Sequence, residues 1–312
     1  MVAAVSAPSR PKLRLSIPQT HQTPFHLPLL PPLTTTAPTV SYSDLQKIQV
    51  LGHGNSGTVH KVQHSSTSQL YALKIIYAAN NPTVRQQLSR EIEILRFTDS
   101  PHVVRCHAIY EKPSGEVEIL MEYMDAGSLH TLLQERGSFS EKHLVPVARQ
   151  VLEGLKYLHG QKIVHRDIKP ANLLVNSKMD VKIADFGVSK IIRPTLVSQN
   201  SFVGTCAYMS PQRFDPQTYG QDENLYAGDI WSFGVTLLEL YMGRFPFLEP
   251  GQTPDWVTLM CAICLGERPS VPEDCSAEFR SFIDCCLQKD SEKRWTASQL
   301  LVHPFLSQVP DY

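Results

Sequence analysis

The first 43 residues contain neither aspartate nor glutamate. So acid-poor a segment, rich instead in Pro, Ser and Thr, has little from which to build a core, and 1–43 is expected to be a disordered arm. Nowhere does an apolar run reach the roughly 18 residues of a membrane-crossing helix, so no membrane insertion is expected. An excess of either charge is missing too. The 29 Lys and Arg stand against 30 Asp and Glu, interspersed, and offer no basic surface for a nucleic acid. The seven cysteines lack the spacing of a disulfide framework and suit a reducing compartment, the cytoplasm, the nucleus or both. Cys261 and Cys264 form a C-x-x-C without a second pair or a histidine at ligand spacing, so neither zinc nor redox chemistry is expected there. What is present is 312 residues, enough for one large domain or two packed lobes.

The densest chemistry lies in His165 to Lys190, HRDIKPANLLVNSKMDVKIADFGVSK. Two short apolar runs, Leu173–Val175 and Val181–Ile183, are bridged by Asn176 to Asp180 and read as a hairpin with polar groups at both ends. Asp167, Lys169 and Asn172 then stand near Asp185. One carboxylate beside a carboxamide, with a second carboxylate returned by the hairpin, is a layout for phosphoryl transfer. Asp167 can take or orient the proton of an incoming hydroxyl. Asn172 and Asp185 can hold Mg²⁺ on nucleotide phosphates, and Lys169 can neutralise charge developing on the moving group.

Upstream, Leu45 to Leu51 opens a strand that enters Gly52-His-Gly54-Asn-Ser-Gly57-Thr-Val59, and further strands follow over Val59–His64 and Leu70–Ile75. A G-x-G-x-x-G between two strands, rather than between strand and helix, lets backbone amides close over phosphates. Leu51, Gly52, Gly54, Gly57, Val59 and Ala72 are the nucleotide contacts expected from this sheet, and Lys74 is the expected phosphate-contacting lysine. Residues Val84 to Phe97 predict a helix with Leu88, Ile92 and Leu95 on one face. Glu91 shares that inward face and Glu93 does not, so Glu91 is the acid expected to pair with Lys74. Two more strands, Val103–Tyr110 and Val117–Met121, turn around Ser114-Gly115. The chain then passes through Glu122-Tyr123-Met124, a connection whose backbone would hydrogen-bond an adenine. Met121 would lie behind the pocket or in the core. Glu122, Met124 and Leu174 complete the expected nucleotide contacts.

Ser128 to Gln134 reads as a short helix. A longer one begins at Ser140, with His143 where a capping box would want an acid, and Val147, Val151, Leu155 and Leu158 form its inward stripe. Past Gly187, the hydroxyls of Thr195, Ser198 and Ser201 occupy a polar stretch, and Arg166, with Arg193 as a second, is a natural partner for a phosphate placed there. Gly204 to Pro211 would shape the groove for the acceptor residue. A strongly apolar helix starts at Asp229, an acid tolerated in a core if it accepts backbone N–H bonds from the catalytic loop. Helices over Trp256–Leu265, Ala277–Leu287 and Ala297–Leu301 follow.

These residues resemble the protein kinases over Leu45 to Leu306. More narrowly they are similar to the plant MAP kinase kinases, in the small class with a short docking arm, through DFGVSK at 185–190, VGTCAYMSP at 203–211 and GDIWSFG at 228–234. The resemblance implies an α+β, bilobal eukaryotic protein kinase fold. A small, mainly antiparallel β lobe (about 44–122) would carry one regulatory helix, and a larger, mainly α-helical lobe would span about 126–306. A tail over 307–312 would remain, with no regulatory domain expected on that side. ATP and Mg²⁺ are the implied cofactors. The implied activity is dual-specificity transfer of the γ-phosphoryl group to Thr and Tyr in the activation loop of a downstream MAP kinase. An upstream MAP kinase kinase kinase would switch it on at two hydroxyls separated by five residues, which falls on Thr195 and Ser201, with Ser198 as an extra site. Thr205 would bond back to the catalytic loop. In the arm, basic Arg10, Lys12 and Arg14 accompany alternating Leu13, Leu15 and Ile17. An acidic patch beside an apolar groove could take both features, and the motif at 10–17 resembles the family's docking site. An inert tail and an organellar leader are the alternatives, and the prolines weaken the latter. Signalling in stress, defence or hormone response, by a chain monomeric outside signalling complexes, completes the expectation.

One position departs from the pattern. Kinases usually have an acid after the Pro that closes the activation segment, and here Gln212 stands there, opposite Arg294. A guanidinium that loses its counter-charge can cost about 3–5 kcal/mol, less whatever the amide or water returns. Reduced but real activity is expected. A serine/threonine kinase outside the MAP kinase cascade and a weakly catalytic docking scaffold are the rival readings.

Overall fold

The computed structural model describes residues 40–54, 57–77, 88, 92–112, 114–186, 206–215, 217–219, 224, 226–248, 252 and 255–307. Strands β1 (Leu45–Gly54), β2 (Gly57–His64), β3 (Leu70–Tyr77), β4 (Cys106–Glu111) and β5 (Glu116–Glu122) form one antiparallel sheet in the order β1-β2-β3-β5-β4. Both faces of its centre are covered. Val117 and Ile119 of β5 turn one way, to Ile76, Cys106 and to Leu88 and Leu95 of helix α1 (helical at 88 and 92–97). Leu120 turns the other way, with Val62, Leu73, Ile75 and Ala108. The second face is sealed by the chain leading into the sheet. Val40 and Leu45 pack on it, the Tyr110 hydroxyl donates to the Val40 carbonyl at 2.8 Å, and the Tyr42 hydroxyl donates to the fully buried Glu118 at 3.2 Å. Lys112 bonds the same Glu118 oxygen at 2.6 Å, which supplies the buried carboxylate with a cation.

Ile48 and Val50 of the edge strand β1 are about half exposed (50% and 47%). One sequence expectation needs correction in this lobe. The strand expected from Val103 begins only at Cys106. Val103 and Val104 are drawn the other way: Val104 N–H donates to the Ile183 carbonyl (2.9 Å), and Val103 joins the core of the second lobe.

That second lobe is built around α3 (Glu141–Gly160) and α5 (Ala227–Met242), after the short α2 (Leu129–Arg136). The stripe Val147, Val151, Leu155 and Leu158 is buried throughout. Ser140 is the N-cap of α3, but its hydroxyl meets the His143 ring (2.9 Å) instead of the backbone and makes no cap bond. Ala227 through Leu240 of α5 are all buried, as befits a helix apolar on every side. A Cβ at Gly234 would come 2.6 Å from Cys286, so this glycine lets α7 (Ala277–Cys286) approach. The short α4 (Pro211–Phe214), α8 (Ala297–Leu300) and α9 (Pro304–Ser307) complete the lobe. α6 (Trp256–Met260) passes into a π-helical turn over Cys261–Leu265, in which Cys261 is exposed and Cys264 buried. Among the described residues, no helix is long and apolar enough to cross a membrane.

Candidate active site

Asp167 lies in the loop between α3 and a 3-10 turn at Pro170–Asn172, 5% exposed. The loop is gripped from below by Asp229 of α5, whose carboxylate is fully buried and accepts from the backbone N–H of His165 (2.9 Å) and of Arg166 (2.7 Å). The same carboxylate has one partner the sequence did not reveal: the His159 ring, 2.9 Å away. Burial works to raise the Asp229 carboxyl, but its bond and charge interaction with His159, with His165 and the Arg166 N–H, hold it below the usual range. The grip sustains a strained backbone. Arg166 (φ 68°) and Asp185 (φ 62°) both occupy the left-handed region, which costs a non-glycine residue on the order of 1–3 kcal/mol.

The hairpin forms as expected, with β6 (Leu173–Val175) antiparallel to β7 (Val181–Ile183). Asn172 ties it to the loop: its Nδ2 donates to the Asp167 carbonyl (2.8 Å), and its own carbonyl accepts from Ala184 N–H (2.9 Å). Asn172 and Asp185 are thus neighbours, and a carboxylate with a carboxamide oxygen is a hard oxygen pair suited to Mg²⁺. Lys169 Nζ lies 3.1 Å from Asp167 Oδ2. Lys74, 6% exposed, donates to Asp185 Oδ1 at 2.9 Å. Its expected mate Glu91 lies outside the described residues, as do the hydroxyls Thr195, Ser198 and Ser201, Thr205 and the arm motif 10–17. Phe186, beside the His165 ring at 5.3 Å, packs on both the sheet's cluster and the core of the second lobe.

Registers align the nucleotide pocket. Val59 pairs with Lys74 across β2 and β3, and Ala72 with Met121 across β3 and β5. Leu51 is 41% exposed at the end of β1, whereas Met121 packs on the cluster that faces α1. Gly57 holds φ +134°, and a Cβ there would run into the Ile75 carbonyl. Only glycine lets the loop's return strand start so close to β3. Gly52 and Gly54 close β1, Met124 is buried, and Leu174 sits in β6. Glu122 carries a function that the sequence did not disclose. Its carboxylate takes both bonds of Lys182 (2.7 and 2.9 Å) and the Arg105 N–H (2.7 Å), which braces the inter-lobe connection against β7.

Gln212 and Arg294 meet as expected, both buried, with the guanidinium donating to Gln212 Oε1 at 2.8 Å. Carbonyls of Gln288, Ala227 and Lys289 take further donors, and the Trp231 ring lies 5.1 Å from the guanidinium carbon. The Gln212 Nε2 is buried and, among the described residues, has no hydrogen-bond partner.

Comparison with known proteins agrees with this geometry. Residues 45–306 match the protein kinase domain family. Mitogen-activated protein kinase kinase 9 of Arabidopsis thaliana is 59% identical over 298 residues, 94% of this chain and 95% of that protein. Mitogen-activated protein kinase kinase 7 of the same plant is 59% identical with equal coverage. Mitogen-activated protein kinase kinase SIPKK of Nicotiana tabacum is 41% identical over 86% of this chain and 75% of its own.

Proposed function

Because the chain belongs to the plant mitogen-activated protein kinase kinases, we propose that Asp167, Lys169, Asn172, Asp185 and Lys74 carry its reaction. The chain is an ATP-dependent protein kinase of dual specificity, which phosphorylates the activation loop of a MAP kinase. Asp167 orients the acceptor hydroxyl of Thr or Tyr and receives its proton as the new O–P bond forms and the bond to the ADP oxygen breaks. Lys169, already 3.1 Å from Asp167, meets the charge developing on the transferred group. Lys74 steadies the phosphates, with Glu91 as its second partner. Mg²⁺ on Asn172 and Asp185 would supply charge neutralisation between the phosphates. The loop around Gly52, Gly54 and Gly57 excludes water. Leu51, Val59, Ala72 and Leu174 sandwich the adenine, Met121 lies behind it, and the backbone of Glu122 and Met124 bonds its edge.

The observation that carries this reading is the buried carboxylate of Asp229, which holds the loop that bears Asp167 by the His165 and Arg166 N–H groups. Partners are assigned at the same level of proposal. The arm at Arg10, Lys12, Leu13, Arg14, Leu15 and Ile17 would dock the downstream MAP kinase. An upstream MAP kinase kinase kinase would phosphorylate Thr195 and Ser201, with Ser198 as an additional site, and Arg166 would receive a phosphate. The cytoplasm or the nucleus would be its place of action.

The test is an assay on catalytically dead MAP kinases with mass spectrometry of every phosphate. Thr195→Glu/Ser201→Glu should modify both Thr and Tyr of the activation loop, and Asp167→Ala should abolish both. Phosphate on only one hydroxyl type would favour a kinase outside the cascade. Binding through the arm without any phosphate transfer would favour a docking scaffold.

A further inference from the structure

The chain enters the sheet as a strap, Val40 to Asp44, laid on the face that turns away from α1. Its downstream end is pinned, since the Ser65 N–H (2.8 Å) and hydroxyl (2.9 Å) both donate to the Asp44 carbonyl. Upstream of that pin, among the described residues, two tyrosine hydroxyls tie it to the sheet: that of Tyr110 on the Val40 carbonyl and that of Tyr42 on Glu118. The second tie is unevenly made. Glu118 Oε1 takes both the Tyr42 hydroxyl (3.2 Å) and Lys112 Nζ (2.6 Å), whereas Oε2 is buried and has no hydrogen-bond partner among the described residues. The other donors of Lys112 go to Glu116 (2.9 Å) and the Tyr42 hydroxyl (3.4 Å), and its ammonium lies 4.8 Å from the centre of the Tyr42 ring. Two carboxylates thus share one bonded ammonium, with the charge of Lys47 bearing on Glu116 from β1. A half-satisfied buried carboxylate makes a tie that is easily undone.

Tyr42 is the member of this cluster that a second protein can reach, being 37% exposed where Glu118 is fully buried. We propose that Tyr42 is a phosphorylation site, and that a phosphate there releases the strap from the sheet. The γ-phosphoryl group passes from ATP to the Tyr42 oxygen, whose proton leaves to the catalytic carboxylate of the modifying kinase as ADP departs. The source is a second copy of this chain, through its dual specificity, or a separate tyrosine kinase. Phosphorylation replaces a hydroxyl that donates to Glu118 by a group of about −1.5 to −2 charge. The carboxylate at bonding distance repels that charge, and Lys112 can serve the phosphate only by leaving Glu118 bare inside the sheet. Expelling the strap relieves both conflicts.

The consequence reaches the nucleotide. Glu118 pairs with Ile75 across β5 and β3, one step from the pair of Ile119 with Lys74, and Ile75 also lies opposite Thr58 where the glycine loop returns. Without the strap, Val62, Leu73, Ile75 and Leu120 lose cover directly behind Lys74. Phosphate on Tyr42 is therefore an off-switch that acts on ATP from the far face of the sheet. This last effect rests on the assignment of Lys74 to the nucleotide phosphates; release of the strap does not.

The experiment has two arms on the full chain. In the first, Asp167→Ala protein is incubated with ATP and Mg²⁺ and either the Thr195→Glu/Ser201→Glu chain or a broad-specificity tyrosine kinase. Mass spectrometry should find phosphate on Tyr42 with one of the two, which identifies the source; none with either overturns the site. In the second, phosphotyrosine is installed at position 42 during synthesis in the Thr195→Glu/Ser201→Glu background. Amide exchange at Leu73, Ile75 and Leu120 should quicken on the order of tenfold. The melting temperature should fall by several degrees and KM for ATP should rise several-fold, all restored by a tyrosine phosphatase. Tyr42→Phe keeps the ring beside Tyr110 and gains no charge, so its exchange and KM should stay within about threefold of the unmodified chain. Unchanged exchange or a raised melting temperature overturns the switch, since Lys112 then holds the phosphate in place. Quickened exchange with an unchanged KM for ATP upholds release of the strap and overturns the nucleotide role of Lys74.

Discussion

Gln212 shows what one side-chain atom can decide. Replacing an oxygen by an NH₂ leaves the Arg294 bond in place at 2.8 Å but buries an Nε2 that finds no partner among the described residues. The guanidinium is meanwhile served by three carbonyls, so the charge is solvated by dipoles rather than cancelled. Gln212→Glu should restore the counter-charge and remove the stranded donor, a gain of about 1–3 kcal/mol. Thermal melts should rise by roughly 2–10 °C, with activity maintained or raised. An unchanged or lower melting point would mean that the carbonyls already satisfy Arg294. The position was legible in the sequence because it follows the Pro that ends a recognisable segment. The bond from Tyr208 to Glu239 and that from His159 to Asp229 were not, since 31 and 70 residues separate the partners and neither helix pattern points across that gap.

At the scale of elements, periodicity located the pieces and tertiary competition set their ends. The stripe of α3 and the hairpin of β6 and β7 were readable because a helix repeats every 3.6 residues and a strand every two. The start of β4 was not: Val103 and Val104 have strand-forming side chains, but the β7 backbone takes them before β5 can. The same strand supplies Lys182, whose bridge to Glu122 spans 60 residues and joins the inter-lobe connection to the catalytic hairpin. Both side chains are largely buried, 16% and 22% exposed, so the pair escapes most of the screening that weakens surface bridges. A double-mutant cycle of Glu122→Ala and Lys182→Ala should return a coupling of about 1–2 kcal/mol in chemical denaturation. Either single change should raise KM for ATP more than it lowers kcat, because it loosens the connection and leaves Asp167 held by Asp229. Additive effects would reduce the bridge to a bystander.

Across the whole molecule, two of the described groups that join the lobes do opposite things. Phe186 fills a gap between the sheet's cluster and the second lobe's core, an apolar contact indifferent to ligand. Lys74 and Asp185 form an ion pair over the same cleft at 2.9 Å, and both are groups assigned above to the nucleotide and its metal. Nucleotide binding therefore exchanges a lysine–carboxylate bond for contacts of Lys74 with phosphate and of Asp185 with Mg²⁺. Without the metal, Asp185 would be left as a bare acid facing anionic phosphates, and the exchange loses its gain. ATP with Mg²⁺ at a hundredfold excess over its Kd should stabilise the chain by about 2.7 kcal/mol, a rise of roughly 5–10 °C in melting temperature. ATP with a chelator should give less than about half of that. Asp185→Asn separates the two contributions, since it removes the carboxylate from both the ion pair and the metal site. It should keep the metal-independent rise and lose the increment that Mg²⁺ adds. A full Mg²⁺ increment in Asp185→Asn would move the metal away from Asp185 and leave Lys74 and Asp185 as a purely structural tie between the lobes.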